Sequence, residues 1–407
     1  MKYKNEILIT AVVTILILFL KKINVLQIEN GLAHPLSMLS LILLFSAVSI
    51  YIQNKIDKNK EENLINYHNL DILKYICAIL IIILHLRPFQ NFSNEFDLTF
   101  NNIITRICVP VFFVITGYFT AKKEKDNLQY IRKYIKNMIP TYLKWSVIYL
   151  PVIAATIIQY YPAIQNYISN LHISPCLLMM LFIIALPLAL IAALLYSGVY
   201  YHLWYFPAVM LSLGVLDKWK KKYDIKYLLG ISFILLLFGA TETYYGVLPL
   251  SIRQMISYYY NIFFTTRNFL FFGLFYIVLG YYMGTKNEIY AKYCFEKLVI
   301  SFFFLIFEAI LLHDTDRLNS NILLSCIPLT YYLFISVIYM SKPKPEIQRF
   351  SFRGYSKYYY LVHPMMIFIL TSLGIINNHM NPFIKIIFVL VATHLLSAMI
   401  IKVKNNQ

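Results

Sequence analysis

Apolar runs of membrane-spanning length, separated by short polar or basic stretches, follow one another from end to end of this chain. A helix rises about 1.5 Å per residue, so about 20 predominantly apolar residues cross a bilayer core. The runs lie near 5–21, 36–52, 70–86, 103–121, 138–161, 175–197, 202–216, 227–248, 268–284, 297–313, 319–340, 358–376 and 382–402. No polar block between them is long enough to form a separate soluble domain. The pattern predicts an all-α fold, a polytopic transmembrane helical bundle with the lipid bilayer as its solvent.

Basic residues cluster between the runs, in "AKKEKDNLQYIRKYIKN" (121–137), "DKWKKKYDIK" (217–226) and "SKPKPEIQRFSFRGYSK" (341–357). Cytoplasmic loops carry such an excess of Lys and Arg. With the N-terminus inside, the loops at 53–69 and 121–137 fall in the cytoplasm, and 87–102, with Glu95 and Asp97, falls outside. If 175–197 crosses fully, three later basic loops land outside; if it dips in and returns, every basic loop is cytoplasmic. Pro175 and Pro187 interrupt that segment, and each removes a backbone donor. Irregular backbone at membrane depth is tolerated where protein or water satisfies it. The reading is therefore about twelve crossings, one re-entrant segment and both termini cytoplasmic. The first run follows "MKYKNE" without a small-residue cleavage site, so it is taken as a retained helix.

Composition agrees. Of 407 residues, 59% are hydrophobic and 14% charged, against about a quarter charged in soluble domains. The net charge of +17 is accounted for by the loops, and no nucleic-acid-binding module is visible, which excludes a nucleic-acid partner. Cys77, Cys108, Cys176, Cys294 and Cys326 lie in or beside apolar runs at no metal-like spacing, so they read as buried thiols and no metal site is expected. There is no phosphate-binding glycine loop and no internal repeat, which disfavours ATP-driven pumps and repeat-built transporters. The abundance of Ile, Lys, Asn and Tyr suggests an AT-rich bacterial genome.

Ionisable residues inside the runs are the candidates for function, since bilayers exclude them. In "LDILKYICAILIIILHLRPF" (70–89), Lys74 and His85 are eleven residues apart. That spacing brings them within about 20° of one helix face and about 16 Å apart along it. Asp71 falls about 40° from His85 on the same side, so the three form a stripe facing the bundle interior or an aqueous cavity. At the depth of His85 stand Arg106, then His202, Trp204 and Tyr205 of "YYHLWYF", then Arg267 and Asn268. Arg87 and His313 also belong to that side, as loop or interface residues. Near the opposite surface are Arg353, Lys357 and His363, the first two weighted as topology signals. Histidine can take a proton from an alcohol or carry an acyl group. Arginines at the same depth can hold an oxyanion, phosphate or carboxylate. Trp204 and Tyr205 serve either a sugar ring or an interfacial aromatic belt.

"LDILKYICAILIIILH", "VPVFFVITGYF", "YHLWYFPA", "RNFLFFGLFYIVLGYYMG" and "YYLVHP" occur in that order. Together they resemble the acyltransferase-3 family of integral membrane acyltransferases across roughly residues 70–400. The resemblance implies a ten-helix membrane domain over 70–407, preceded at 1–69 by two extra N-terminal transmembrane helices and a cytoplasmic linker. It implies an O-acyltransferase of the cell membrane with no tightly bound cofactor. The donor would be a cytoplasmic acyl-CoA, typically acetyl-CoA, and the acceptor an envelope glycan or lipid-linked sugar outside. Lys74 and His85 match the family's basic residue eleven positions before a histidine, though the family's residue is commonly Arg. His85, Arg106 and Arg267 are then the expected catalytic residues. Asp71, Lys74, His202, Trp204, Tyr205, Asn268 and His363 are the expected substrate or donor contacts. His85 is left as either general base or acyl carrier. The competing expectation is a transporter of a serine- or alanine-type amino acid or of a glycan precursor. Members with a racemase domain carry it after the last helix, and this chain ends at "IKVKNNQ", which argues against a fused racemase.

Overall fold

The computed structural model describes residues 67–170, 174–286, 293–313, 315–340 and 350–405. The helices expected at 5–21 and 36–52, the loop at 53–66 and most of the basic stretches at 285–297 and 341–349 lie outside the described residues. All regular structure among the described residues is helical. The helices are α1 (His68–Leu86), α2 (Cys108–Glu124), α3 (Tyr130–Ile148), α4 (Leu150–Asn170), α5 (Pro175–Ala192), α6 (Tyr205–Trp219) and α7 (Ile225–Ala240). They continue with α8 (Leu250–Phe263), α9 (Leu274–Thr285), α10 (Cys294–Leu311), α11 (Cys326–Ile338), α12 (Phe352–Ser372) and α13 (Pro382–Asn405). Among the described residues, four helical runs are long and apolar enough to cross a membrane: His68–Leu86, Leu98–Glu124, Tyr130–Pro162 and Pro382–Asn405.

Three local outcomes differ from the sequence pattern. The helix expected from 138 begins at Tyr130, because the basic stretch contains no glycine or proline to stop it. Its Lys133 and Lys136 stay partly or fully exposed while Ile131 is buried. Pro175 and Pro187 do not break their segment, which is one helix. Pro175 sits in the first turn, where a missing N–H removes no helical bond, and Ser174 caps it by accepting from the Leu177 N–H at 3.4 Å. The run expected from 103 reaches α-helical form only at Cys108, after a π turn (Leu98–Ile103) and a 3-10 turn (Ile104–Ile107) that carries Arg106. Of the cysteines, Cys77, Cys108 and Cys326 are buried and Cys294 is half-buried. Cys176 has no described side chain.

The core is built on α2 against α9, flanked by α1 on α12, α12 on α13 and α10 on α11. Gly117 of α2 and Gly280 of α9 make the central contact. A Cβ on Gly117 would stand 2.1 Å from the Ile277 carbonyl oxygen, and one on Gly280 would stand 2.1 Å from that of Val114. Helices without a hydrophobic drive to associate gain from this close approach of backbones. A polar cluster ties the ends of the same helices: Glu124 accepts from Tyr281 Oη at 2.8 Å and from Lys220 Nζ. Away from the core, α4, α5 and α13 expose Ile158, Met179, Ile183, Leu188, Leu395 and Met399, as helix faces against lipid do.

Replacing Gly280 by valine is expected to lower the yield of folded protein and its thermal midpoint in membranes by several degrees. Gly214 lies inside α6 with open space around its Cβ position. Gly214→Ala is expected to be neutral or to stabilise by about 0.5–1 kcal/mol. Thermal unfolding of the two variants in nanodiscs checks the contrast; equal destabilisation would remove the seam's special role.

Candidate active site

The polar stripe of α1 lines a cavity of about 570 Å³. Asp71, Lys74 and His85 all face it, as do Arg106, His202, Trp204, Tyr205 and Arg267. The cavity follows α1, with Lys74 toward one end and His85 toward the other, about 16 Å apart by helical rise.

At the Lys74 end the ammonium pairs with Asp71 one helical turn away. Lys123, Arg353 and Lys357 join it on the wall. Lys357 precedes the apolar run that begins at 358; burial chiefly, with repulsion from Lys404 and Arg353, lowers its pKa below the ordinary lysine value. Among the described lining residues, Asp71 is the one carboxylate facing six cations: Lys74, Arg106, Lys123, Arg267, Arg353 and Lys357.

The His85 end is aromatic and dry. The His85 ring lies 4.8 Å from that of Tyr201 and stacks on His363 at 5.3 Å with 21° between planes. His363 itself is fully buried and does not line the cavity. Its Nδ1–H donates to the Tyr359 carbonyl at 2.8 Å, which leaves Nε2 as a lone pair in the neutral ring. It forms the floor under His85. His202 sits in the turn before α6, its ring 4.8 Å from Tyr149 and 5.5 Å from Tyr360. That turn is set by Gly198, whose φ of 76° suits glycine.

The two arginines enter from the N-terminal ends of the α2 and α9 segments. Arg106 donates from Nη2 to Asn102 Oδ1 at 3.2 Å, while its buried Nε has no hydrogen-bond partner among the described residues. The Arg267 guanidinium lies over the Trp204 ring at 5.2 Å, a cation–π contact. Trp204 also packs on Phe113 and Phe272, and Tyr205 Oη is 3.2 Å from Thr116 Oγ1. Asn268, although next to Arg267, does not line the cavity. It caps the π turn Phe269–Gly273, accepting from the Leu270 and Phe271 N–H groups at 2.9 and 3.1 Å.

Glu242 is the residue that the sequence pattern passes over. It lies 1% exposed in the turn after α7. Its carboxylate accepts from Thr266 N at 3.0 Å, Thr266 Oγ1 at 2.6 Å, Thr265 Oγ1 at 3.1 Å and Asn321 Nδ2 at 3.2 Å. It thereby holds both the loop that carries Arg267 and the cavity-lining Asn321. The available signal was a lone acid, in "GATETYYG", at the end of an apolar run. Among the described residues no group of three or more His, Cys, Asp or Glu is placed to hold a metal ion.

A sequence model described as an acyltransferase domain matches residues 67–402. An amino-acid racemase of Enterococcus faecalis is 27% identical over 234 residues, 56% of this chain and 29% of the relative. A second amino-acid racemase of Enterococcus faecalis is 22% identical over 354 residues, 83% of this chain and 46% of the relative. A serine/alanine racemase of Enterococcus gallinarum is 22% identical over 334 residues, 78% and 44% respectively. The chain spans less than half the length of these curated relatives. No solved structure matches. The family match runs through every helix that borders the cavity, and the chain belongs to the acyltransferase-3 family of membrane acyl-transferring enzymes.

Proposed function

We propose that the chain is a cell-membrane O-acyltransferase that moves a short acyl group, acetyl above all, from a cytoplasmic acyl-CoA to a hydroxyl of an envelope glycan or lipid-linked sugar outside. The proposed architecture is about twelve crossings with both termini cytoplasmic: two N-terminal helices in 1–69 and a ten-helix domain over 70–407, with Pro175–Ala192 as one continuous helix rather than a broken, returning segment. The observation that carries the reading is a cavity lined by Lys74, Lys123, Arg353 and Lys357 toward one end and by His85, Arg106 and Arg267 toward the other.

In this reading the CoA phosphates meet Lys74, Lys123, Arg353 and Lys357, and the thioester reaches toward His85. CoA is a substrate, and no resident cofactor or metal takes part. His85 accepts the proton of the acceptor hydroxyl as its oxygen attacks the thioester carbonyl. The developing oxyanion is met by Arg106 and Arg267. Collapse breaks the C–S bond, and the thiolate leaves as CoA and takes up the proton that His85 releases. His202 and His363 hold the imidazole's surroundings, and Asn268 and Glu242 hold the Arg267 loop. Transient acylation of His85 is the variant of this route, and mass spectrometry of the chain quenched during turnover detects it as an acyl adduct on that residue. A second reading, carriage of a serine- or alanine-type amino acid or a glycan precursor, draws on the names of the racemase relatives and on the length of the cavity.

His85→Ala is expected to remove base-labile acyl esters from the envelope glycans of expressing cells, a loss of about 100-fold or more, with membrane expression unchanged. Ester content unaltered by His85→Ala would remove His85 from the chemistry, and ester content unaltered by the native chain itself would favour carriage. Arg353→Gln combined with Lys357→Gln is expected to raise KM for acyl-CoA about tenfold, with kcat within about threefold. Added salt should raise the native KM in the same direction. An unchanged KM would place the donor elsewhere.

A further inference from the structure

At the His85 end Arg106 and Arg267 face the cavity with no carboxylate beside them on its described wall. The other arginines of that region are engaged: Arg87 pairs with Asp97 at 3.3 Å, and Arg317 donates to the His313 carbonyl at 2.9 Å. Glu242, which attracts Arg267 from behind, does not line the cavity, and both its oxygens accept from Thr265, Thr266 or Asn321. Arg106 keeps a buried, unpartnered Nε. Both side chains are half-buried, and cations that share one cavity wall repel each other.

The proposed reaction does not supply the missing charge at rest. A thioester carbonyl and a sugar hydroxyl are both neutral, and the oxyanion exists only in passing. The CoA phosphates lie beyond an uncharged pantetheine arm, at the end of the cavity that has its own cations. On the described wall no permanent anion stands at this end, and the other substrate is the partner left to bring one.

We infer that the Arg106–Arg267 end of the cavity binds an acceptor bearing a fixed anionic group, a carboxylate or a phosphate, close to the hydroxyl that is acylated. This rests on the acyltransferase reading and narrows its acceptor from any glycan to an acidic one. Arginine is suited to the task, since its planar fork of donors matches both oxyanions.

The test is equilibrium binding of radiolabelled glucose, glucuronate and glucose 6-phosphate to the full chain in nanodiscs, at low salt. One or both charged sugars are expected to bind at least tenfold tighter than glucose. Which of them does so separates a carboxylate acceptor from a phosphate one. Arg106→Gln and Arg267→Gln should each reduce the preference about tenfold, and Arg106→Lys should retain part of it, which guards against a folding defect. Lys357→Gln, at the opposite end, should leave the preference unchanged. Equal binding of all three sugars would overturn the inference, as would a preference that survives both Gln variants or disappears in Lys357→Gln. The two claims fail separately. His85-dependent esters without any anion preference would sink the acidic acceptor and leave acyl transfer standing. An anion preference in a chain that transfers no acyl group to any sugar would sink the transferase reading instead.

Discussion

Backbone contact between α2 and α9 governs the arrangement of this site. Gly117 and Gly280 let the two helices approach until a single added Cβ would overlap a carbonyl of the partner. The segments that carry Arg106 and Arg267 lead into the N-terminal turns of these two helices and line one cavity. Larger residues at the seam would move those turns apart and with them both guanidiniums. Packing of small residues in the membrane interior thus sets electrostatics at its edge.

Charge decides what the cavity is for. Six cations and one carboxylate on the described wall give it a net positive lining, with aromatic and histidine rings gathered at one end. In the proposed reaction two charged partners enter from opposite sides, and His85 is the proton acceptor between them. His85 and His202 both line the cavity, and His363 packs against both rings from beneath.

Much of this was legible in the sequence, for definite reasons. Helical geometry alone placed Asp71, Lys74 and His85 on one face, and that face lines the cavity. Arg106, His202, Trp204, Tyr205 and Arg267 were legible because a polar group inside an apolar run is tolerated only where it meets a cavity, a partner or the membrane surface. Asn268 caps a π turn and does not line the cavity, and His363, expected near the Lys74 surface, stacks on His85 instead, because six helical residues carry it about 9 Å beyond Lys357. Lys123, Arg353 and Lys357 were hidden, since a lysine at a membrane surface reads the same whether it snorkels to water or faces a cavity. Glu242 was hidden because its partners, Thr265, Thr266 and Asn321, come from distant loops. Pro175 and Pro187 show the converse error, since a proline marks a break only where the backbone lacks another way to satisfy its neighbours.

The most direct measurement of the central claim is acyl transfer across a sealed membrane. The purified chain would be reconstituted in vesicles, with acetyl-labelled acetyl-CoA on one side only. Envelope glycan stripped of esters by mild base would be supplied on the other. The account predicts base-labile label on the glycan with the native chain and a loss of about 100-fold with His85→Ala. Label that never reaches the glycan, or reaches it equally well without His85, would contradict it.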